Sequence, residues 1–157
     1  MARKGSVYRS LKPVNWCFDC ETALAEAEVE YEDHSSPTVY VRFPVNNPDA
    51  LGFPRGKKVS LLIWTTTPWT LLANVAAAVG PVFDYVCAET GDEILVVEKT
   101  LSAAVLDKGQ AKWNVVKEVK GAALTELVYT HPFGKKEHCR VVDVDYVTRE
   151  DGTGIVH

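Results

Sequence analysis

The stretch KVSLLIWTTTPWTLLAN, from Lys58 to Asn74, decides how the chain is read. Val59, Leu61 and Ile63 alternate with Ser60, Leu62 and Trp64. Large apolar residues therefore fall on both faces, the pattern of a buried strand. The strand ends abruptly. Thr65, Thr66 and Thr67 set three hydroxyls at the mouth of an apolar element, and Pro68 stops the extension. Proline is tolerated at the first position of a helix and threonine is a good N-cap, so Thr67-Pro68 predicts a short helical turn to about Ala73. Strand end, hydroxyl cluster and the free N–H groups of a helix start together form a site for a carbonyl or an anionic oxygen. The same residues also describe a buried strand and a capped turn whose threonines only satisfy backbone groups.

Working outward, Glu21 to Ala25 reads as one helical turn, and Ala27, Val29 and Tyr31 alternate with Glu28, Glu30 and Glu32 as a half-buried strand with an acidic outer face. Thr38 to Phe43 is a second alternating strand. Pro44 to Lys57, with three prolines and two glycines, is the longest irregular segment. Val75 to Val79 is a run of small apolar residues suited to close approach of a backbone or a ligand. Phe83 to Ala88 and Glu93 to Glu98 flank a turn at Glu89–Asp92 and read as a hairpin. Lys99 to Leu106 and Gly121 to Leu127 read as short helices, and Trp113 to Val119 as a strand. Tyr129 to Lys136 is an aromatic, proline-bearing loop. Cys139 to Val147 alternates for its whole length, and Gly154 to His157 is a last short strand. About eight short strands with two or three short helices predict a mainly β (α+β) domain, a barrel-like or rolled core with a few short peripheral helices.

A chain of 157 residues fits one domain, long enough to bury about 70% of its unfolded surface. Hydrophobic and charged contents of 46% and 24% are ordinary for a globular protein. The formal net charge of −4 gives no general electrostatic reason to bind nucleic acid, so any RNA contact has to be local. No stretch approaches the roughly 18 apolar residues of a membrane span, and the N-terminus lacks the apolar run of a secretion signal, which points to a cytoplasmic protein without a membrane partner. Cys17, Cys20, Cys87 and Cys139 are expected as free thiols. Cys17 and Cys20 have the spacing of half a zinc knuckle, but no second C-x-x-C or H-x-x-x-H follows, so they form an incomplete half-site. No Ser-His-Asp, Cys-His or paired-carboxylate arrangement stands out.

The motif W-T-T-T-P-W-T, Trp64 to Thr70, followed by L-x-A-N up to Asn74, resembles the threonine-rich editing motif of isoleucyl-tRNA synthetases, which lies in their connective-peptide domain. Three further stretches agree in order: W-C-F-D-C from Trp16 to Cys20, T-A-L-A-E-A-E-V-E-Y from Thr22 to Tyr31, and D-Y-V-T from Asp145 leading to G-T-G-I-V-H, Gly152 to His157. Valyl and leucyl relatives carry an arginine where Thr67 stands, which favours the isoleucine branch. Leu72 departs from the proline usual in the family. The resemblance implies residues 1–15 as a connector to the rest of the synthetase and 16–157 as an editing domain of the valyl, isoleucyl and leucyl type, truncated at its C-terminus.

The implied reaction is hydrolysis of the ester of valine misattached to the isoleucine tRNA. Thr65, Thr66 and Thr67 are implied as pocket residues, Asn74 as a polar wall and His157 as a residue touching the amino acid. Trp69, Leu71 and Leu72 are implied to border the substrate. Implied partners are the tRNA 3′ end, valyl-adenylate and the remaining synthetase chain. ATP and zinc belong to the full enzyme, with no cofactor in this segment, and the H-I-G-H and K-M-S-K-S type signatures of aminoacylation are absent. In the family, the motif containing His157 runs on to a carboxylate that holds the substrate ammonium group, so weak or absent hydrolysis is expected of the segment alone. A non-catalytic tRNA-binding module and an inactive structural fragment are the competing readings. With only two thiols at ligand spacing, elemental analysis should find no stoichiometric zinc. One zinc per chain, lost on Cys17→Ser, would overturn that expectation.

Overall fold

The structure is a computed structural model that describes Arg3 and residues 6–109 and 112–157. Of the expected connector, residues 1, 2, 4 and 5 lie outside the described residues. The chain forms two compact units, Met1–Ser35 and Ser36–His157. In the first, β1 (Asn15–Cys17) and β2 (Thr22–Leu24) make an antiparallel hairpin with Cys17 opposite Thr22. The helical turn expected over Glu21–Ala25 is thus largely strand. The strand expected from Ala27 to Tyr31 is replaced by a 3-10 turn at Glu26–Glu28 followed by irregular chain. The Glu28 carboxylate accepts the Ala25 N–H at 2.7 Å, a local bond that draws this acidic stretch into a turn.

The second unit is built on two sheets. The larger has the order β3 (Val39–Pro44), β4 (Lys58–Thr65), β7 (Glu93–Glu98), β6 (Asp84–Thr90), β8 (Trp113–Lys120). The smaller has the order β11 (Ile155–Val156), β5 (Ala76–Val79), β10 (Cys139–Asp143), β9 (Val128–Tyr129). Most neighbours are antiparallel, but β4 pairs β7 and β10 pairs β5 in parallel. Phe43, Leu61, Ile63, Tyr85 and Val96 of the larger sheet share one core with Val79, Tyr129, Val141 and Ile155 of the smaller. The Phe43 and Tyr129 rings stack with centroids 5.0 Å apart, and an isolated bridge joins Val45 to Tyr129. The mainly β architecture is as the sequence predicts, but β3 and β8 remain open edges and the sheets do not close into a barrel.

β4 is buried on both faces. Val59, Leu61 and Ile63 enter the shared core, while Leu62 joins Leu95, Val97, Val105 and Leu106 on the other face, where α1 (Ser102–Leu106) packs. The second helix, α2 (Gly121–Leu124), is shorter than the sequence suggests. The alternation from Cys139 to Val147 yields a strand only to Asp143, where its pairing with β5 runs out at Val79. All four cysteines are free, and burial pushes the Cys87 thiol up to about 11. Among the described residues no helix is long and apolar enough to cross a membrane.

One buried hydroxyl ties the sheets at the C-terminal segment. Tyr85 Oη accepts the Gly80 N–H at 3.0 Å and donates to the Gly154 carbonyl at 2.7 Å. Burial pushes this phenol up to about 12, so it stays protonated and keeps its donor. Tyr85→Phe removes the hydroxyl and strands both buried backbone groups, which costs about 1–3 kcal/mol. The expected readout is a lowered urea midpoint with an unchanged slope, and an unmoved midpoint would contradict the bridge.

Candidate functional site

At the end of β4 the threonines form a chain of hydroxyls. Thr65, buried at 7% exposure, has its Oγ1 3.2 Å from that of Thr67, which in turn lies 3.1 Å from that of Thr70. The Thr67 N–H donates to Thr65 Oγ1 at 3.1 Å, and Thr70 Oγ1 donates to the Thr67 carbonyl at 2.6 Å. The turn after Pro68 is a six-residue 3-10 helix, Pro68–Ala73. Thr67 does not cap it through its side chain, because its hydroxyl is already engaged with those of Thr65 and Thr70. The expected helical turn from Pro68 to Ala73 is present, and what differs is the cap, because the Thr67 hydroxyl joins a hydroxyl relay instead.

Thr65 and Thr66 border a cavity of about 250 Å³, whose other walls are Trp64, Thr148 and the segment Asp151–Val156. The two glycines of G-T-G shape it. Gly152 has φ +78 and lies so close to Trp64 that a Cβ would sit 3.0 Å from the indole ring. Gly154 has φ +70, and a Cβ there would meet that of Glu98 at 2.3 Å. Both positions demand glycine on conformation and on space. Between them Thr153 is 1% exposed, and its carbonyl accepts the Glu98 N–H at 2.9 Å. The buried Glu98 carboxylate is satisfied by the Thr100 and Leu101 N–H groups at 2.7 and 3.1 Å and by the Thr100 hydroxyl at 2.5 Å. The loop is thereby fixed to the start of α1.

The remaining predicted residues divide. His157 follows β11, which pairs with β5 through Ile155–Val79 and Val156–Ala78. Burial alone lowers its pKa from 6.5, so the imidazole is neutral at pH 7. Asn74 is buried away from solvent, its amide donating to the Ala76 carbonyl at 3.0 Å and its oxygen accepting the Tyr129 hydroxyl at 2.6 Å. Both ends of that side chain are thus engaged within the fold. Leu71 belongs to the core, whereas Trp69 and Leu72 stand exposed at 65% and 56%. Sequence reasoning missed Thr70, Thr148 and Asp151. Thr70 and Thr148 stand in the quoted W-T-T-T-P-W-T and D-Y-V-T motifs without an assigned role, and Asp151 has no signal beyond adjoining G-T-G. A larger groove of about 540 Å³ lies elsewhere, between β3 and α1, but its floor of Leu62, Leu95, Val105 and Leu106 is aliphatic and supplies no hydroxyl relay.

In the first unit, Cys20 N–H points at Cys17 Sγ at 3.4 Å. This bond first, then one from the Asp19 N–H, lowers the Cys17 thiol pKa, which favours the thiolate a metal needs. The hairpin fits two ligands of a four-ligand site. Among the described residues, no group of three or more His, Cys, Asp or Glu converges as a metal site.

A family profile for class I tRNA synthetases (I, L, M and V) matches residues 1–146. The chain is 48% identical over its full length to an isoleucine–tRNA ligase of Moorella thermoacetica and 46% identical to one of Azoarcus, and it spans 17% of the length of each. Among solved structures, the editing domain of the Plasmodium knowlesi cytosolic leucyl-tRNA synthetase superposes with a TM-score of 0.66 at 12% identity, over 82% of this chain and 60% of that one. The corresponding P. falciparum domain gives 0.63 at 14% identity, over 78% and 60%. The mixed sheets and the threonine relay at the end of β4 therefore belong to a member of the class I tRNA synthetases (I, L, M and V), with the fold seen in leucyl editing domains.

Proposed function

We propose that the chain is the editing domain of an isoleucyl-tRNA synthetase and hydrolyses the ester of valine wrongly joined to the isoleucine tRNA. The observation that carries this reading is the Thr65–Thr67–Thr70 hydroxyl relay beside a small cavity closed by the G-T-G loop. The likeness to isoleucine–tRNA ligases along the whole chain supports it. Valine lacks one methylene of isoleucine, a difference already established for this very pair as worth only about 1–3 kcal/mol in an apolar pocket. A second pocket that excludes the larger side chain by clash supplies the missing accuracy. Thr65 and Thr66 bring methyl groups for such a wall and hydroxyls for water. An ester needs a positioned water and donors for the oxygen that becomes negative. The relay provides oriented hydroxyls, and the neutral His157 imidazole has one nitrogen free to accept and one to donate.

The partners under this reading are the 3′ end of tRNA carrying valine, valyl-adenylate as a second substrate, and the rest of the ligase, working in the cytoplasm. The Cys17–Cys20 half-site would be completed by residues further along that longer chain, and ATP would bind there as well.

The reading is tested in the whole ligase by measuring deacylation of valyl- and isoleucyl-tRNA for Thr65→Ala, Thr66→Ala and Thr67→Ala separately. Removing the obstructing methyl should let isoleucine in and lower the valine-to-isoleucine ratio by at least about 10-fold, the lower end of the range for one methylene. Three unchanged ratios would place the wall elsewhere, with exposed Trp69 and Leu72 next in line. Failure of the unaltered ligase to deacylate valyl-tRNA would leave a tRNA-binding or structural segment instead.

A further inference from the structure

The loop THPFGKKEHCR, Thr130 to Arg140, contributes nothing to the threonine cavity, yet it is fastened more firmly than an idle connection requires. His131 N–H donates to the Lys136 carbonyl at 2.8 Å, and Gly134 N–H donates to the His131 carbonyl at 2.7 Å. Phe133 N–H donates to His131 Nδ1 at 3.1 Å, which holds the imidazole beneath the loop at 2% exposure. Asn46 then ties the ends together, accepting the Thr130 hydroxyl at 2.8 Å and donating to the Glu137 carbonyl. The product is a rigid loop that displays Phe133 at 56% exposure beside Lys135 and Lys136.

Not every cation of this unit meets a carboxylate: Lys108, Lys117 and Arg149 lie instead on a phenol, a backbone carbonyl and an aromatic ring. Six cations of the same unit sit in ion pairs, such as Lys57 with Glu89 and Lys120 with Asp84, each at 2.7 Å. Lys135, Lys136 and Arg140 are exposed, and among the described residues none has a carboxylate partner within ion-pair distance. In a chain of net charge −4, residues 130–140 carry three exposed cations against the single carboxylate of Glu137, so this loop with its displayed aromatic ring is a locally positive surface suited to an anion. Its position links it to the site. Tyr129, the residue before the loop, donates to Asn74 at the end of the threonine turn, and Arg140 lies in register with Ala76.

We propose that this loop is a contact surface for a single-stranded RNA segment, with phosphates on Lys135, Lys136 and Arg140 and a base or ribose on the face of Phe133. Exposed aromatic and unpaired cations together fit a phosphodiester strand, since phosphates take the cations and any base supplies a stacking face. The proposal rests on the editing reading in one respect, that an RNA strand whose 3′ end lies at the threonines passes the end of their turn.

The test measures binding of a fluorescent acceptor-stem minihelix ending in CCA to this chain between 50 and 200 mM salt. Lys135→Gln/Lys136→Gln should weaken binding and flatten the slope of log K against log salt by about 1.4–1.8, the loss of two phosphate contacts. Phe133→Ser should weaken binding by about 5- to 160-fold with the slope unchanged. Thermal melts equal to that of the unaltered chain show that the exposed substitutions leave the fold intact. Hydrolysis of 2′-valyl-adenosine, too small to reach the loop, should be the same in all three proteins. Minihelix affinity and slope unchanged in both variants would overturn the proposal, even with ester hydrolysis present and the editing reading intact. Equal competition by polyglutamate at matched charge would also overturn it, showing a surface for acidic protein. Loss of minihelix binding in the variants would uphold the RNA surface whether or not this chain hydrolyses the small ester, and the editing reading is then decided separately by valyl-tRNA deacylation in the whole ligase.

Discussion

The burial of β4 on both faces is the constraint on which the rest depends. Leu61 and Ile63 fill the core shared by the two sheets, while Leu62 packs under α1. A strand held from both sides has no freedom to twist or slide, because a one-residue slip would exchange every inward and outward side chain. Its last residue, Thr65, is consequently fixed in place, and so is the hydroxyl relay that begins there. The site inherits its order from the core and not from its own bonds, which are hydroxyl contacts of modest individual strength.

The second wall of the cavity comes from the far end of the chain and is positioned by different means. Residues 152–157 form only a two-residue strand. They are held instead by the Tyr85 hydroxyl on Gly154, by the Glu98 N–H on the Thr153 carbonyl, and by the close packing of both glycines against Trp64 and Glu98. Trp64 thus serves both walls, as the penultimate residue of β4 and as the surface on which Gly152 rests. The short strand needs these anchors because two ladder bonds alone hold little against fraying.

Much of this was legible in the sequence. The two-faced apolar run at Val59–Trp64, the hairpin at Gly91, and the strand at Trp113–Lys120 follow from local pattern, and the structure places them within a residue or two. The W-T-T-T-P-W-T and G-T-G-I-V-H motifs likewise marked the two walls. The departures share one physical cause, that local pattern does not show distant partners. Ala27–Tyr31 alternates like a strand but pairs with no neighbour among the described residues of its unit, and it folds on the Glu28 carboxylate instead. Asn74 has the chemistry of a site residue, yet Tyr129, 55 positions away, holds its side-chain oxygen. Thr67 has the chemistry of a cap, but the neighbouring Thr65 and Thr70 engage it first. The parallel pairing of β4 with β7 was invisible because no helix of ordinary length marks the crossover.

Under the proposed editing function, the amino acid ester would lie between the threonine relay and the G-T-G loop. The most direct measurement is a crystal structure with a non-hydrolysable valyl-adenosine analogue. The valyl side chain is expected in the cavity of Thr65, Thr66 and residues 151–156, with its carbonyl within hydrogen-bond reach of the hydroxyl relay. Density for the analogue in the aliphatic groove between Tyr40 and Leu106, with the threonine cavity empty, would contradict it.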